Sequence, residues 1–169
     1  MFAGKSTELL RRIREAREGG GHVLAVKPAR DKRYADDALV THVGDREPAL
    51  AVRLLSDALA RSAGCELVAV DELHFFADEA IAPIESLCGA GIDVVAAGCD
   101  LDHYGDAFAP FGRLLPRADE VVRIAGKCAR CGAPSTHSER LSPSRERIIV
   151  GGIGDFVATC AACFRPTPR

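Results

Sequence analysis

Short apolar runs alternate with longer amphipathic stretches along the first two thirds of the chain. Runs of Val, Ile, Leu and Ala that follow glycine turns predict buried strands at 23–26, 67–70 and 92–97. The amphipathic stretches predict helices at 8–18, 54–61 and 79–88. Strands that alternate with helices indicate an α/β fold with a mostly parallel sheet and helices on both of its faces.

The pattern is weaker elsewhere, and it changes after Gly98. Further strands are predicted at 39–43 and 121–124, a charged loop at 31–37, a long functional loop at 100–112, and short β-like runs at 147–150 and 156–159. Glycine, proline and turn residues replace the regular alternation beyond position 124. We therefore predict an α/β domain at 1–125 and a small β-rich domain at 126–169.

Composition narrows the class of protein. The chain has 169 residues, 47% of them hydrophobic, and a net charge of −2, which is ordinary for a globular protein and excludes a disordered tail or a fibre. Balanced charge gives no reason to expect nucleic-acid binding, and no apolar run reaches the length of a membrane helix. The first residues lead into charged positions, so we expect no secretory signal and a cytoplasmic location.

A glycine–lysine–serine turn opens the first predicted helix. Residues 3–7 match the second half of the phosphate-binding pattern G-x-x-x-x-G-K-[ST], in which backbone N–H groups and Lys5 meet phosphate oxygens and Ser6 ligates Mg²⁺. The full pattern also requires a glycine five residues before Gly4 and a strand before the loop. We expect the sequence as given to lack both. A chance Gly-Lys-Ser at a helix start is the alternative.

Two carboxylates follow the apolar run 67–70. Asp71 stands at the end of a predicted parallel strand, where ligands bind in such sheets and where an acidic residue commonly holds Mg²⁺. Glu72 beside it has the chemistry of a general base toward a hydroxyl group. A solvated Asp-Glu pair is the alternative when this segment is taken alone, and the nearby phosphate-loop pattern favours function.

Four of the seven cysteines form two C-x-x-C pairs. Cys128, Cys131, Cys160 and Cys163 have the spacing of a four-thiolate zinc site, which would have a structural role because no coordination position stays open. A redox-active pair is the rival, but that motif normally occurs once and near a βαβ unit. Cys65, Cys88 and Cys99 are then expected to be small buried hydrophobic residues.

Taken together, these motifs resemble the zinc-containing type of thymidine kinase. The resemblance rests on residues 1–9, on Lys27-Pro28 with Asp31, Arg33 and Tyr34, on 41–44, on 71–76, on 98–100 with Phe108, and on Gly151-Gly152, Phe156, Cys160 and Cys163. It implies transfer of the ATP γ-phosphate to the 5′-hydroxyl of thymidine, with deoxyuridine as a possible substrate, Mg²⁺, a structural zinc ion and a homotetramer. Another phosphate-loop phosphotransferase or hydrolase, or a zinc-ribbon interaction module with a vestigial nucleotide site, are the alternatives.

The resemblance also implies roles for individual residues. Glu72 would be the general base, and Ser6 and Asp71 would hold Mg²⁺. The ATP site would comprise Met1, Phe2, Ala3, Gly4, Lys5, Ser6, Thr7, Asp31, Lys32, Arg33, Asp71, Glu72, Leu73 and His74. The nucleoside site would comprise His103, Phe108, Ser138, Arg147, Ile148, Ile149, Val150, Gly151 and Phe156, partly on a lid anchored by the zinc pairs.

Departures from the family pattern concentrate in the nucleoside site. His74 replaces a glutamine, and His103 occupies the position of an aromatic residue that stacks on the base. Tyr104 follows where bacterial members tend to have arginine, Cys99 stands where leucine is usual, and Phe156 replaces a tyrosine and loses its hydroxyl group. The phosphate machinery is less altered, so the departures bear more on nucleoside preference than on the class of reaction.

Overall fold

The computed structural model describes residues 3–33, 35, 37–41, 44–144, 146–152 and 154–169. Its α-helices and strands are α1 (Lys5–Glu18), β1 (Val23–Pro28), β2 (Ala38–Val40), β3 (Arg46–Pro48), β4 (Leu50–Val52), β5 (Leu67–Val70), α2 (Ile81–Gly89), β6 (Asp93–Ala96), α3 (Ala109–Leu114), β7 (Gly126–Lys127), β8 (Pro134–Ser135), β9 (His137–Arg140) and β10 (Phe156–Thr159). Three 3-10 segments supplement them at Leu55–Arg61, Leu73–Ala80 and Leu115–Arg117.

A four-stranded parallel sheet organises the first part of the chain. Its order is β4-β1-β5-β6, with Val23 opposite Leu67 and Leu67 opposite Asp93. Because the carboxyl ends of parallel strands meet at one edge of a sheet, the loop after β1 and the carboxylates after β5 come together there. This sheet confirms the predicted α/β class.

Residues that alternate along β1 and β5 pack against different layers. Ala25 and Ala69 meet Leu9, Leu10 and Ile13 of α1 on one face of the sheet. The opposite face has a larger core, formed by strand valines and by residues of α2, α3 and the 3-10 segments; its members include Val26, Val68, Val70, Leu55, Phe76, Leu87 and Phe111. Both faces of the sheet are therefore covered, as is usual for parallel sheets.

Helix α1 begins earlier than the apolar pattern predicts. It starts at Lys5 because Gly4, with φ +93°, turns the chain into the helix from the left-handed region that glycine adopts without steric cost. The strand predicted at 39–43 is confirmed as β2 over Ala38–Val40, and its last two predicted positions, His42 and Val43, lie outside the described residues. The helix predicted at 79–88 is α2, preceded by 3-10 turns at Leu73–Ala80, and the segment at Leu55–Arg61 is 3-10 throughout.

Three predictions of local structure are wrong. Residues 121–124 form no strand, because no strand in the described part of the chain pairs with them, and Val121 and Val122 are 45% and 50% exposed. Residues 147–150 also form no ladder, and they lie against the pocket described below. The predicted loop 100–112 ends in α3, where Pro110 supplies the fixed φ that suits a first helical turn.

The last part of the chain is built from short antiparallel pairs. Strand β7 pairs with β8, and β9 pairs with β10, with Phe156 opposite Arg140. The apolar run predicted at 156–159 is confirmed as β10, whereas β9, with two charged residues, gave no signal in the sequence. The division into domains at 125/126 stays a prediction. Among the described residues, no helix is both long and apolar enough to cross a membrane.

Candidate active site

The phosphate-loop residues form one wall of a pocket at the carboxyl edge of the sheet. Ala3, Gly4, Lys5, Ser6 and Thr7 line it, and β2 with Thr41 lines it opposite the loop. The free N–H groups of the first turn of α1 give this wall the character of an anion site. Burial opposes the charge of Lys5, but Cys99, Glu72 and Asp71 favour it and raise its pKa.

Asp71 and Ser6 lie side by side in this pocket. The Ser6 hydroxyl donates to Asp71 Oδ2 at 3.0 Å, and the Glu72 N–H donates to Oδ1 at 2.9 Å. Burial and the charge of Glu72 raise the pKa of Asp71 to about 7. A hydroxyl and a carboxylate oxygen this close are a fitting donor set for Mg²⁺, which prefers oxygen ligands.

We expect Asp71→Asn to stabilise the ligand-free protein in a pH-dependent way. Because the pKa of Asp71 rises from 3.8 to about 7 on folding, the folded state binds more protons between these values and loses stability as the pH rises through that window. Asparagine removes this loss, so the free energy of unfolding should rise by about 4 kcal/mol at pH 8 and by clearly less at pH 5. Urea denaturation at both pH values measures the difference.

Asp78→Asn is the matched control, because Asp78 is exposed and lies in the 3-10 segment that follows β5. It should leave the free energy of unfolding unchanged at both pH values. A gain for Asp71→Asn that is equal at pH 8 and pH 5 would contradict the assigned cause.

Arg33 connects the loop after β1 with Glu72. Its guanidinium donates twice to Asp31, from Nε at 2.7 Å and Nη2 at 2.6 Å, and Nη2 also donates to Glu72 Oε1 at 2.5 Å. Nη1 donates to the carbonyl of Gly151 at 3.1 Å. Burial alone would raise the pKa of Glu72, but Arg33 and Lys5 are among the charges that hold it below its usual value. Glu72 is therefore a carboxylate at neutral pH.

The backbone of Glu72 has an unusual conformation. It has φ +48° and ψ +45°, a left-handed conformation that is uncommon for residues other than glycine. Glu72 occupies the N-cap position of the 3-10 segment that begins at Leu73. Strain of this kind clusters at functional sites.

His74 forms an aromatic wall next to Glu72. Burial lowers the pKa of His74 to about 4, so the imidazole is neutral at pH 7, and its Nδ1 accepts the Cys99 N–H at 3.3 Å. Its ring centroid lies 4.4 Å from that of Phe75 and 4.9 Å from that of Phe108. The proton on the neutral ring is therefore at Nε2.

A second pocket adjoins the first. It is lined by most of the residues predicted for the nucleoside site, namely His103, Phe108, Ser138, Arg147, Ile148, Ile149, Gly151 and Phe156. Arg33 and Glu72 line both pockets. The carboxylate and the guanidinium therefore stand where the two cavities meet.

Several predicted residues lie elsewhere. Lys32 is exposed and Leu73 is buried in the core of the sheet. Val150 is half-buried and is not among the residues that line the second pocket. Met1 and Phe2 lie outside the described residues, as does Tyr34.

Three contributors to the site were not assigned from the sequence. Lys27 is buried beside the phosphate pocket, and its Nζ donates to the Ala35 carbonyl at 2.5 Å. Asp102 has a fully buried side chain, and Thr167 is hydrogen-bonded to His103 Nδ1 at 2.9 Å. The Lys27-Pro28 pair in the sequence could have identified Lys27. The contact between positions 103 and 167 joins distant parts of the chain and gives no local sequence signal.

The four paired cysteines meet in one cluster. The Sγ atoms of Cys128, Cys131, Cys160 and Cys163 all lie within 4.8 Å of one another, and those of Cys131 and Cys160 are 3.6 Å apart. Tetrahedral zinc with Zn–S bonds of about 2.3 Å holds its sulfur ligands roughly 3.8 Å apart. The cluster therefore fits a structural zinc ion. Cys88 is exposed, and Cys65 and Cys99 are half-buried, so the prediction that all three are buried is wrong.

A phosphate-loop pattern at a helix start, the Ser6–Asp71 oxygen pair beside it and a carboxylate where two pockets meet are features of nucleotide-binding α/β phosphotransferases. The sequence model of the family described as thymidine kinase matches residues 1–164. The chain belongs to the thymidine kinase family, and it is an enzyme of the transferase class.

Individual relatives agree with this assignment. A thymidine kinase from Chloroflexus aurantiacus is 34% identical over 175 residues, which cover 98% of this chain and 91% of the relative. One from Deinococcus deserti is 35% identical over 177 residues, covering 95% and 88% of the two chains. One from Thermococcus kodakarensis is 34% identical over 172 residues, covering 95% and 87%.

Proposed function

We propose that this chain transfers the γ-phosphoryl group of ATP to the 5′-hydroxyl of thymidine, giving dTMP and ADP. The observation that carries the proposal is the position of Glu72 and Arg33, which line both the phosphate pocket and the second pocket. A phosphoryl donor and an acceptor hydroxyl bound in adjoining pockets would meet at this junction. Family membership supports thymidine as the acceptor.

The phosphate pocket would bind ATP through its triphosphate. Backbone N–H groups at the start of α1 and the charge of Lys5 would contact the phosphate oxygens. Ser6 and Asp71 would hold Mg²⁺, which on binding neutralises charge on the phosphates. Their oxygen atoms lie 3.0 Å apart, which supports this assignment.

Glu72 would act as the general base. As the 5′-oxygen forms its bond to the γ-phosphorus, the bond from that phosphorus to the ADP oxygen breaks, and the hydroxyl proton passes to the Glu72 carboxylate. The lowered pKa of Glu72 supports this role, because the group is ionised at neutral pH. Arg33, which is hydrogen-bonded to Glu72, would stabilise negative charge on the transferring group at the same junction.

The second pocket would hold the nucleoside. Phe108 and Phe156 line this pocket and would pack against a base, and Ile148 and Ile149 belong to a segment that would exclude water from the transfer. The homotetramer, the cytoplasmic location and deoxyuridine as a second substrate remain proposals that rest on the resemblance. Sedimentation velocity of the purified protein would test the first of them.

A panel of nucleosides with labelled ATP tests the function. We expect label to reach thymidine efficiently, deoxyuridine less so, and ribonucleosides and purine deoxynucleosides at least about 100-fold more slowly. ATP hydrolysis without an acceptor should be far slower than transfer. Hydrolysis that is as fast without an acceptor would instead favour a phosphate-loop hydrolase, and failure to bind ATP would favour a zinc-ribbon module.

A further inference from the structure

Two chain segments with distant sequence positions form opposite walls of the nucleoside pocket. The lid segment comprises residues 146–152, between β9 and β10, and the base loop comprises residues 101–107, between β6 and α3. His103 on the base loop and Ile148 on the lid segment line the same cavity. The contacts between the two segments therefore determine the shape of the pocket.

We propose that the ion pair between Arg147 and Asp102 latches the lid segment onto the base loop and makes Arg147 a positioning residue for nucleoside binding. Arg147 Nε donates to Asp102 Oδ2 at 2.6 Å. The proposal rests on the proposed function insofar as the pocket is taken to hold a nucleoside. The latch itself is a structural property of the two segments.

Asp102 is built into the base loop as a buried acceptor. Its side chain is 0% exposed, and its Oδ1 accepts the N–H groups of Tyr104 at 2.9 Å and Asp106 at 3.0 Å. These bonds shape the turn and leave Oδ2 for a partner from outside the loop. Among the described residues, Arg147 makes the one ion pair with this carboxylate. A buried carboxylate that loses its cationic partner is costly, so the pair strongly favours the latched arrangement.

Arg147 is held at both its side chain and its backbone. Besides the ion pair, its Nη2 donates to the Ala107 carbonyl at 3.2 Å, and its guanidinium carbon lies 5.8 Å from the centre of the Phe108 ring. Its own carbonyl accepts Arg140 Nη2 at 3.2 Å. Arg140 lies on β9, next to the lid segment. A series of contacts therefore runs from β9 through Arg147 to the base loop.

The base loop has a second, independent support. The N–H of Thr167 donates to the His103 carbonyl at 3.3 Å, and Arg169 pairs with Asp106 and lies over the Tyr104 ring. None of these contacts involves the lid segment. Replacing Arg147 should therefore release the lid while the base loop keeps its fold.

The kinetic test compares Arg147→Met with Arg147→Lys. Methionine keeps length and apolar contact but removes the charge and both donors, so the KM for thymidine should rise about 10- to 100-fold while the KM for ATP changes less than twofold. Lysine keeps the charge without the planar fork and should give a smaller rise. Arg117→Met is the control, because Arg117 pairs with Glu85 on the exposed surface and its own side chain is 62% exposed.

A double-mutant cycle assigns the effect to the pair. In an Asp102→Asn background, Arg147→Met should raise the KM for thymidine less than twofold further, because the charge it balances is already gone. Fully additive effects would overturn the proposal. So would an Arg147→Met variant whose KM for thymidine stays within twofold of the wild type, or whose KM values for thymidine and ATP rise equally.

Hydrogen exchange tests the latch without turnover. In the nucleoside-free protein, backbone amides of 146–152 should exchange at least tenfold faster in Arg147→Met than in the wild type, with amides of β5 unchanged. Unchanged exchange of the lid segment would overturn the latch. If wild-type protein did not phosphorylate thymidine but the lid amides responded as expected, the proposed function would fall and the latch would stand.

Discussion

Glu72→Gln is expected to lower kcat for thymidine phosphorylation by about 10³-fold, which is within the range that a general base contributes. Glutamine keeps the shape of the side chain and can still accept from Arg33, but it cannot take the hydroxyl proton. The KM for thymidine and the KM for ATP should change less than about threefold, because the pockets stay filled by the same groups. Initial rates with labelled ATP at saturating substrate measure the effect.

Glu85→Gln is the control for the loss of a glutamate. Glu85 lies on α2 and pairs with Arg117 at the surface, away from both pockets. It should leave kcat unchanged. Transfer by Glu72→Gln at an undiminished rate would remove Glu72 from the role of base, whereas a large rise in the KM for ATP alone would assign it to metal or phosphate binding.

The pH dependence of kcat/KM should also reflect Glu72 as the base. Since the pKa of Glu72 lies below its ordinary value of 4.5, the base is already ionised above about pH 6. Its protonation should therefore lower kcat/KM only in strongly acidic solution. A wild-type profile that falls with an apparent pKa near 7 would instead point to Asp71, whose pKa is about 7.

Loss of one zinc ligand has the second large expected effect. Cys160→Ser should abolish stoichiometric zinc binding and unfold much of residues 126–169, because binding energies of structural zinc are on the order of 10 kcal/mol and this region has little apolar core of its own. Limited proteolysis should then cut the C-terminal region first. Metal content by atomic emission and the proteolysis pattern measure the two consequences.

We expect the nucleoside pocket to lose its structure when the zinc cluster is lost. The first cysteine turn is hydrogen-bonded to β10, which flanks the lid, since the Ala129 N–H donates to the Ala158 carbonyl at 2.9 Å. The second cysteine turn directly follows β10, whose last residue, Thr159, accepts the Thr136 N–H at 3.0 Å. We therefore expect thymidine binding to be lost while ATP binding at the phosphate loop persists. Cys88→Ser is the matched control, because Cys88 is exposed and lies outside the cluster.

The opposite result would change the interpretation of the cluster. If the wild-type protein bound no zinc and Cys160→Ser kept a folded lid, the four thiols would be a redox or accidental group. Rescue of the wild-type fold by zinc after chelation, and its absence in the variant, would separate loss of metal from a general defect in folding.

Local chemistry in the sequence predicted much of the site. The Gly4-Lys5-Ser6 turn, the Asp71-Glu72 pair and the cysteine spacing are each contained in a few residues, and their physical requirements are local: a left-handed glycine, a strand end, a two-residue turn between thiols. The strands at 67–70 and 156–159 were likewise predictable, because burial or half-burial imposes an apolar run. Such features need no knowledge of what lies opposite them.

Contacts between residues that are far apart in the sequence could not be predicted from local patterns. Val121 and Val122 have the composition of a strand, but a strand also needs a partner with free N–H and C=O groups, and none pairs with them in the described part of the chain. The link from Arg33 to Glu72 and Gly151 joins three separate loops, so no spacing in the sequence encodes it.

The sequence alone thus specified the class of fold, the phosphate-loop pattern, the four thiols that would bind zinc and the carboxylate that would act as base, since each depends on short-range pattern. The folded chain added the junction of two pockets at Glu72 and Arg33, the raised pKa of Asp71, and the pairing of Arg147 with a buried Asp102. These depend on burial and on which loops meet at the edge of the sheet. Both are set only when long-range packing closes the structure.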